Sequence, residues 1–255
     1  MSAKRSAVAI NYRKLATACR VAPGTTVDLD RDFDPGRKDK ALGKHAAQAA
    51  LEQAKLSALQ DKFYAQGNHS LLLVLQAIDA AGKDGAIKHV MSGVNPEGVD
   101  VYSFKAPSTT ERAHGYLWRH QLVVPELGRI AVFNRSHYEN VTVTSSSTCP
   151  APNRRSGSCN ASTTRPRTGR VSAADMKERE YWPQYQQAFS EMLTHTSTEY
   201  APWHVIPADH KWFSHISTFA ILLETMKALH PAYPVLDRDG KKNLSTIRAE
   251  LMSGE

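Results

Sequence analysis

Short apolar runs that predict strands alternate along this chain with segments of helical periodicity. Leu71–Leu75 is continuously apolar and is flanked by polar turn residues, which predicts a strand buried on both faces. Val99–Phe104 alternates between apolar and polar positions, and Ile130–Phe133 is another short apolar run. Trp203–Ile206 predicts a fourth strand. All four segments have the length of strands and are too short for buried helices.

Apolar positions recur at helical spacing in the segments around these strands. The predicted helices cover residues 40–66, 86–91, 108–119, 172–195 and 211–229. Ser108–Glu111 has the spacing of a capping box and marks the start of the third helix. Pro183 should kink or divide the fourth helix. Strands that alternate with helices in this way predict an α/β fold, in which helices flank a parallel sheet.

The composition excludes an integral membrane protein and a disulfide scaffold. Of the 255 residues, 41% are hydrophobic and 22% are charged, which is enough for a packed core. The longest apolar runs fall far short of the ~20 residues that span a bilayer. Three cysteines favour a reducing compartment, so we expect a cytoplasmic protein. The basic start without an apolar targeting segment predicts a solvated N-terminal extension over residues 1–39 and a main domain over 40–255.

The charge balance favours a polyanionic partner. The chain has 32 basic and 25 acidic residues, a formal net charge of +7, which suits nucleic acid or a phosphate polymer. Most of the excess lies in residues 145–170, which contain arginines and no acidic residue. Since no recognition motif accompanies these charges, a nucleic-acid partner is the weaker alternative.

The turn after the first predicted strand has the chemistry of a phosphate-binding loop. Residues 76–85 read QAIDAAGKDG, and their small side chains let the backbone approach a phosphate closely. Backbone N–H groups and the helix N-terminus favour an anion there, and Lys83 adds a full positive charge. The pattern G-x-x-x-x-G-K-[ST] is broken twice, because Ala77 replaces its first glycine and Asp84 replaces its hydroxyl residue. A strand–turn–helix corner with an exposed lysine is the alternative.

Carboxylates near this turn can compensate for the missing hydroxyl as magnesium ligands. Asp79 lies inside the loop, and Mg²⁺ prefers one or two carboxylates together with water and phosphate oxygens. After the third predicted strand, Asn134 is a neutral oxygen donor and Glu139 is a second carboxylate. Arg135 in the same segment can stabilise phosphoryl oxygens. A polar loop without a ligand is the alternative for residues 134–139.

Several of these segments, taken in chain order, carry a resemblance to a known family. They are Asp79–Gly85, Ile87–Pro96, Ser103–Ser108, Leu117–Arg119, Phe133–Glu139, Thr196–Thr198, Ala201–Trp203 and Ile206–Trp212. Together they resemble the polyphosphate kinase type 2 family, and most of all its polyphosphate:nucleotide phosphotransferase branch. The resemblance covers roughly residues 12–144 and 171–236.

This resemblance implies a three-layer α/β fold of the P-loop kinase type, usually assembled as a homo-oligomer. It also implies Mg²⁺-dependent phosphoryl transfer between inorganic polyphosphate and a nucleoside mono- or diphosphate. The catalytic residues that it implies are Asp79, Lys83, Arg135 and Glu139. The implied phosphate-binding residues are Ala81, Gly82, Lys83, Asp84, Gly85, Lys105 and Arg119, and the implied magnesium ligands are Asp79, Asn134 and Glu139.

Residues 145–170 depart from the family pattern. Family members carry a longer stretch here, with another sheet strand and a mobile lid helix that bears arginines. This segment has no Leu, Ile, Val or Phe, so its composition predicts a disordered linker. Either the segment is a flexible basic lid, or it is not native family sequence and arose by a frameshift or deletion. The second interpretation leaves open a catalytically impaired relative that still binds phosphate or nucleotide.

Overall fold

The structure, a computed structural model, describes residues 10–39, 42–53, 56–77, 82–137 and 182–235, together with residue 247. Its helices in chain order are α1 (Tyr12–Cys19), α2 (Leu29–Asp32), α3 (Lys44–Gln53), α4 (Leu56–Gln66), α5 (Lys83–Val90), α6 (Thr109–Arg112), α7 (Trp118–Gln121), α8 (Trp182–Thr196) and α9 (Lys211–Ala228). Its strands are β1 (Leu71–Leu75), β2 (Val99–Ser103) and β3 (Ile130–Asn134).

The three strands form a parallel sheet in the order β1-β3-β2, and helices flank it. Ile130 of β3 is in register with Leu71 of β1 and with Val99 of β2, so the three strands start at the same level. The sequence-based prediction of an α/β fold with a parallel sheet is therefore confirmed. Because all strands run the same way, their carboxyl ends meet at one edge of the sheet.

The central strand of the sheet is β3, and its residues are the most deeply buried of the three strands because it has a neighbouring strand on each side. Residues 130–133 of β3 are at most 3% exposed. The sequence predicted β1 to be buried on both faces, and this is wrong: Leu72 is 40% exposed, and the other four residues of β1 are only partly buried. Among the described residues β1 pairs with β3 alone, so one of its edges has no neighbouring strand. A continuous apolar run predicts a strand but does not tell a central strand from an edge strand.

The main core forms where α9 crosses the other helices. Ile216, Ala220 and Met226 of α9 are fully buried and pack with residues of α1, α3, α4 and α5. Leu15 of α1 belongs to this same core at 6% exposure. The N-terminal stretch was expected to be solvated, but over α1 it packs against α9, because its apolar residues recur on one helical face. Within the described residues, no helix is both long and apolar enough to span a membrane.

Two of the predicted elements differ in the structure. Trp203–Ile206 is not a strand; His204 makes one isolated antiparallel bridge with Arg20, and no sheet neighbour flanks it among the described residues. The helix that the capping box of Ser108 and Glu111 starts ends at Arg112 instead of continuing to residue 119. There the backbone turns through residues 113–117 before α7 begins, and Gly115 in this turn weakens helix continuity. Residues 172–181 of the fourth predicted helix lie outside the described residues.

Two side-chain contacts, one made by the buried Gln60 and one by the partly exposed Arg129, hold the strands in register at the edge opposite their carboxyl ends. The amide of Gln60 in α4 donates to the carbonyl oxygen of Asn95 and accepts from its backbone N–H, both at 2.8 Å. The guanidinium of Arg129 makes a bidentate ion pair with Asp100, at 2.9 and 3.0 Å. These contacts fix the entry of β2 beside that of β3, and therefore the positions of their far ends.

The turn before β3 gives a test of this packing. Gly128 has a φ of 82°, and a Cβ there would lie 2.9 Å from the carbonyl oxygen of Tyr64. We expect Gly128→Ala to lower the free energy of unfolding by about 1–3 kcal/mol, because both the backbone conformation and the contact become strained. Gly115→Ala is the matched control, since nothing lies within 4 Å of its Cβ position. Urea unfolding would contradict the expectation if the two variants were equally stable.

Candidate functional site

The candidate site lies where the carboxyl ends of the three strands meet. Asn134 at the end of β3 is in register with Leu75 of β1 and with Ser103 of β2. The chain continues from these ends into the segments that the sequence marked as chemically distinctive: Gln76–Ala77, Phe104–Lys105 and Arg135–His137. In open parallel sheets, ligands bind at this edge, because the loops that leave it can diverge around a crevice.

The described half of the predicted phosphate loop sits directly above β1. Gly82 has a φ of 93° and is the N-cap of α5, a left-handed conformation that glycine adopts without strain. The amine of Lys83 donates to the carbonyl oxygen of Ala77, so it folds back onto the carboxyl end of β1. Lys83 therefore places its charge at the start of α5, where free backbone N–H groups favour an anion. Residues 78–81, which include Asp79 and Ala81, lie outside the described residues.

Asn134 and Asp84 connect the end of β3 to the first turn of α5. The side-chain amide of Asn134 donates to a carboxylate oxygen of Asp84 at 2.9 Å. The oxygen of this amide, Oδ1 of Asn134, is buried and has no hydrogen-bond partner among the described residues. A buried acceptor without a donor is unusual in a folded protein, and a cation can satisfy it. The sequence assigned Asp84 to phosphate binding alone; its contact with Asn134 was not predictable from spacing.

Arg135 adopts a backbone conformation that is costly for a residue with a side chain. Its φ is 77°, and its backbone N–H donates to the carbonyl oxygen of Leu75 at 3.0 Å. The next residue, Ser136, is 1% exposed and donates to the side chain of Gln76 at 2.9 Å. These two contacts fasten the segment after β3 to the segment after β1. Strained residues of this kind concentrate at functional sites, where the surrounding structure holds them in place.

Arg119 and Lys105 differ in how accessible they are. The guanidinium of Arg119 is 9% exposed, donates to the backbone carbonyl of Lys105 at 2.7 Å and lies 5.3 Å from the ring of Phe104. It thereby joins α7 to the segment after β2. The side chain of Lys105 is exposed. Of the two predicted phosphate ligands, Lys105 is thus open to an incoming anion, whereas Arg119 positions the backbone that carries it.

Two histidines beside this edge were not singled out as functional by the sequence. His120 is 4% exposed, packs 4.2 Å from Phe104 and lies 5.6 Å from the ring of His137. Burial lowers the pKa of both imidazoles, and Arg119 lowers that of His120 further. Both rings are therefore kept neutral, so they contribute donors and acceptors at this edge but no net charge. No spacing in the sequence indicated their proximity.

A third histidine lies against α5 from the side of α9. Nε2 of His215 is 3.4 Å from the position that a Cβ would occupy on Gly85, and its ring stacks on His89 with centroids 4.4 Å apart. Burial, with His89 and Lys211 nearby, lowers the pKa of His215 to about 4. A Cβ at position 85 would touch this imidazole. Gly85 therefore allows α5 and the imidazole on α9 to pack closely.

The depressed histidine pKa values predict how stability depends on pH. Burial also lowers the pKa of His204 to about 4, so His204 and His215 stay neutral in the folded chain at pH values where the unfolded chain protonates them. Stability should therefore fall as pH drops from about 6.5 to about 4, by at most about 1.4 kcal/mol per pH unit for each proton. Partial exposure of His215 reduces its share.

A double variant separates the contribution of these histidines to the pH dependence of stability from the contribution of carboxylates that titrate in the same pH range. His204→Gln with His215→Gln should flatten the pH dependence of the unfolding free energy, measured by urea at about pH 7 and about pH 5. His45, which is exposed in α3, provides the control as His45→Gln. Equal slopes in the wild type and the double variant would contradict the role of these two groups.

Comparison with known proteins identifies the family to which the chain belongs. The model of the polyphosphate kinase 2 family matches residues 39–155 and 162–233, with its interruption inside the atypical segment 145–170. The chain is 34% identical to an ADP-polyphosphate phosphotransferase of Rhodopseudomonas palustris, over 91% of this chain and 97% of that protein. That alignment runs over 282 positions, more than the 255 residues of this chain, so the relative has stretches without a counterpart here.

Two further matches agree with this one. The chain is 35% identical to an AMP/ADP-polyphosphate phosphotransferase of Meiothermus ruber, over 84% of this chain and 94% of that protein. Its fold resembles the crystal structure of polyphosphate kinase 2 from Arthrobacter aurescens, with a TM-score of 0.81, 29% identity and coverage of 92% and 96% of the two chains.

Proposed function

Because this chain belongs to the polyphosphate kinase 2 family of phosphotransferases, we propose that it moves a phosphoryl group between inorganic polyphosphate and a nucleoside mono- or diphosphate. The names of the two relatives at 34% and 35% identity favour AMP and ADP as the nucleotides. The observation that carries the proposal is the joining of two segments at the carboxyl end of β1. Lys83 folds onto Ala77, and Asn134 meets Asp84.

The residues at this edge bind and orient phosphate groups. The N-terminus of α5 and the amine of Lys83 hold a phosphoryl group against the end of β1. Arg135 directly follows β3, the strand next to β1, and its guanidinium neutralises charge that develops on the transferring group. No side chain here is required as a covalent nucleophile, so catalysis consists of positioning and charge neutralisation.

The donor set suits a magnesium ion. Oδ1 of Asn134 is a buried acceptor without a partner among the described residues, and the carboxylate of Asp84 is next to it. Hard oxygen donors of this kind are what Mg²⁺ binds. Asn134 and Asp84 would hold the ion, with Asp79 and Glu139 as the predicted carboxylates outside the described residues. When bound, the ion lowers the electrostatic repulsion between phosphate oxygens and an incoming nucleophile.

A coupled assay tests the proposal. Purified protein, polyphosphate, Mg²⁺ and AMP or ADP are expected to yield ADP or ATP, and chelation of the metal is expected to stop the reaction. No product from either nucleotide, in either direction of transfer, would overturn the proposed activity. Retained turnover after complete chelation would overturn the magnesium requirement alone.

A catalytically impaired relative is the second candidate, favoured by the edge of β1. One edge of β1 has no neighbouring strand among the described residues, and residues 145–170 lack the apolar side chains of a buried strand. Loss of a lid removes groups that exclude water and complete the charge constellation. Binding of tripolyphosphate without turnover would favour this candidate. A chimera that carries the corresponding segment of the Meiothermus ruber relative should then gain about 10³-fold in rate or more.

A further inference from the structure

An exposed tyrosine lies beside the carboxyl edge of the sheet, next to the site described above. Tyr116 is in the turn between α6 and α7, and it is 59% exposed. Its ring centroid lies 5.9 Å from that of His137. His137 comes two residues after Arg135 in the segment that leaves β3. Tyr116 therefore presents an open aromatic surface beside the residues that follow β3.

The turn that carries Tyr116 is held in place by contacts on both sides of this residue. The backbone N–H of Trp118 donates to the carbonyl oxygen of Gly115 at 2.9 Å. The ring of His114 stacks on the indole of Trp118, with centroids 4.0 Å apart and 14° between the planes. Nδ1 of His114 is also 2.9 Å from the carbonyl oxygen of Thr110 in α6. Because the turn is already ordered, a ligand that packs on the tyrosine ring pays little entropy to order the backbone.

The alternation of side chains along β3 places α5 and α7 on opposite faces of the sheet, since successive residues of a strand point to opposite faces. Asn134 points to α5, where it donates to Asp84 at 2.9 Å. Phe133 points to α7, where its ring centroid lies 6.0 Å from that of His120. Tyr116 and the predicted phosphate loop, which precede α7 and α5, therefore flank the carboxyl end of β3 from two sides.

This placement suits the two substrates of a phosphoryl transfer. The attacking and leaving oxygens lie roughly in line, so the two substrates approach the transferring group from opposite sides. Inorganic polyphosphate has no aromatic group, whereas every nucleotide has a base that can stack on an aromatic side chain. Lys105 is exposed in the segment after β2, where Arg119 of α7 donates to its carbonyl oxygen at 2.7 Å. The side of Tyr116 thus offers a ring for a base and a cation for nucleotide phosphates.

We propose that Tyr116 stacks on the base of the nucleoside mono- or diphosphate, whose phosphates reach toward Arg135 while polyphosphate approaches from the side of the phosphate loop. The inference rests on the proposed function, because it divides the two substrates of that reaction between the two faces of the sheet. A stacking contact far from the transferring group is equally strong in the ground state and the transition state. Its loss therefore raises KM for the nucleotide and leaves kcat unchanged.

The test compares AMP with ribose 5-phosphate, which has the same sugar and phosphate without the base. Tyr116→Ala should weaken calorimetric binding of AMP about tenfold, as expected for the loss of one stacking ring, and leave binding of ribose 5-phosphate unchanged. Tyr116→Phe keeps the ring and should bind AMP as the wild type does. In turnover, Tyr116→Ala should raise KM for the nucleotide by the same factor, with kcat and KM for polyphosphate unchanged. Tyr200→Ala is the matched control, because Tyr200 is a 99% exposed tyrosine in the segment after α8.

Binding and turnover decide the inference and the proposed function separately. The stacking role would be overturned by unchanged AMP binding in a folded Tyr116→Ala, by equal losses for AMP and ribose 5-phosphate, or by weak AMP binding in Tyr116→Phe. Loss of tripolyphosphate binding in place of AMP binding would assign the turn to polyphosphate and also overturn it. A wild type that binds AMP without turnover would contradict the proposed activity alone, and one that binds no nucleotide would reject the subsite. Thermal unfolding confirms that each variant is folded.

Discussion

Replacing Lys83 by alanine is expected to lower kcat for phosphoryl transfer about 10²- to 10³-fold, the range found when one preorganised donor to a developing negative charge is removed. The amine of Lys83 lies at the carbonyl oxygen of Ala77, at the carboxyl end of β1 and at the N-terminus of α5. No other lysine of α5 can replace it, since Lys88 lies more than one turn further along the helix.

Two further variants make this expectation specific. Lys83→Met keeps the length of the side chain without its charge, so it should lose as much activity as Lys83→Ala if charge is what matters. Lys88→Ala removes an exposed cation from the same helix and should retain activity within about twofold. Tripolyphosphate binding by calorimetry supplies a readout without turnover. If Lys83→Ala kept both activity and tripolyphosphate binding, the hypothesis that residues 76–85 bind phosphate through Lys83 would be wrong.

Replacing Arg135 by asparagine is expected to lower kcat about 10³-fold or more while leaving the fold at least as stable. An arginine that neutralises a transferring phosphoryl group contributes about 10³–10⁵ in rate. The φ of Arg135 is 77°, a conformation that asparagine adopts more readily than arginine. We therefore expect the free energy of unfolding to stay equal or to rise by up to about 1 kcal/mol.

A fall in kcat without a fall in the free energy of unfolding distinguishes an arginine that acts in phosphoryl transfer from one that only supports packing. His230 is the other described residue with a side chain and a positive φ, at 48°; it follows the end of α9 and is not one of the residues assigned to the site. His230→Asn should relieve backbone strain in the same way without changing kcat. If Arg135→Asn lost stability and activity together, the arginine would be a packing residue, and its proposed role in transfer would be wrong.

Local patterns predicted most of the described elements for identifiable reasons. The strand at residues 71–75 and that at 130–134 came from short apolar runs, and the start of α6 came from the reciprocal capping contacts of Ser108 and Glu111. Such signals depend on interactions within a few residues, so the sequence contains them directly. The predicted phosphate loop rests on the same kind of signal, because its lysine and small residues are close together in the chain.

Failures occurred where a neighbour distant in the chain decides the outcome. Trp203–Ile206 has the residues of a strand, but a strand needs a paired edge, and among the described residues only Arg20 bridges to it. The burial of β1 depends in the same way on what lies beside it. The end of α6 at Arg112 depends on the turn that brings α7 back to the sheet.

The sequence by itself determined the parallel α/β arrangement and the family, because each depends on periodicity or on motifs of residues close together in the chain. The phosphate-binding role of residues 76–85 came from the same kind of local signal and stays a prediction. Only the tertiary structure decided that Asp84 meets Asn134 across 50 residues and that Arg119 is buried against the segment after β2. Such contacts depend on how the strand ends and helix ends meet in space, and no spacing along the chain specifies that.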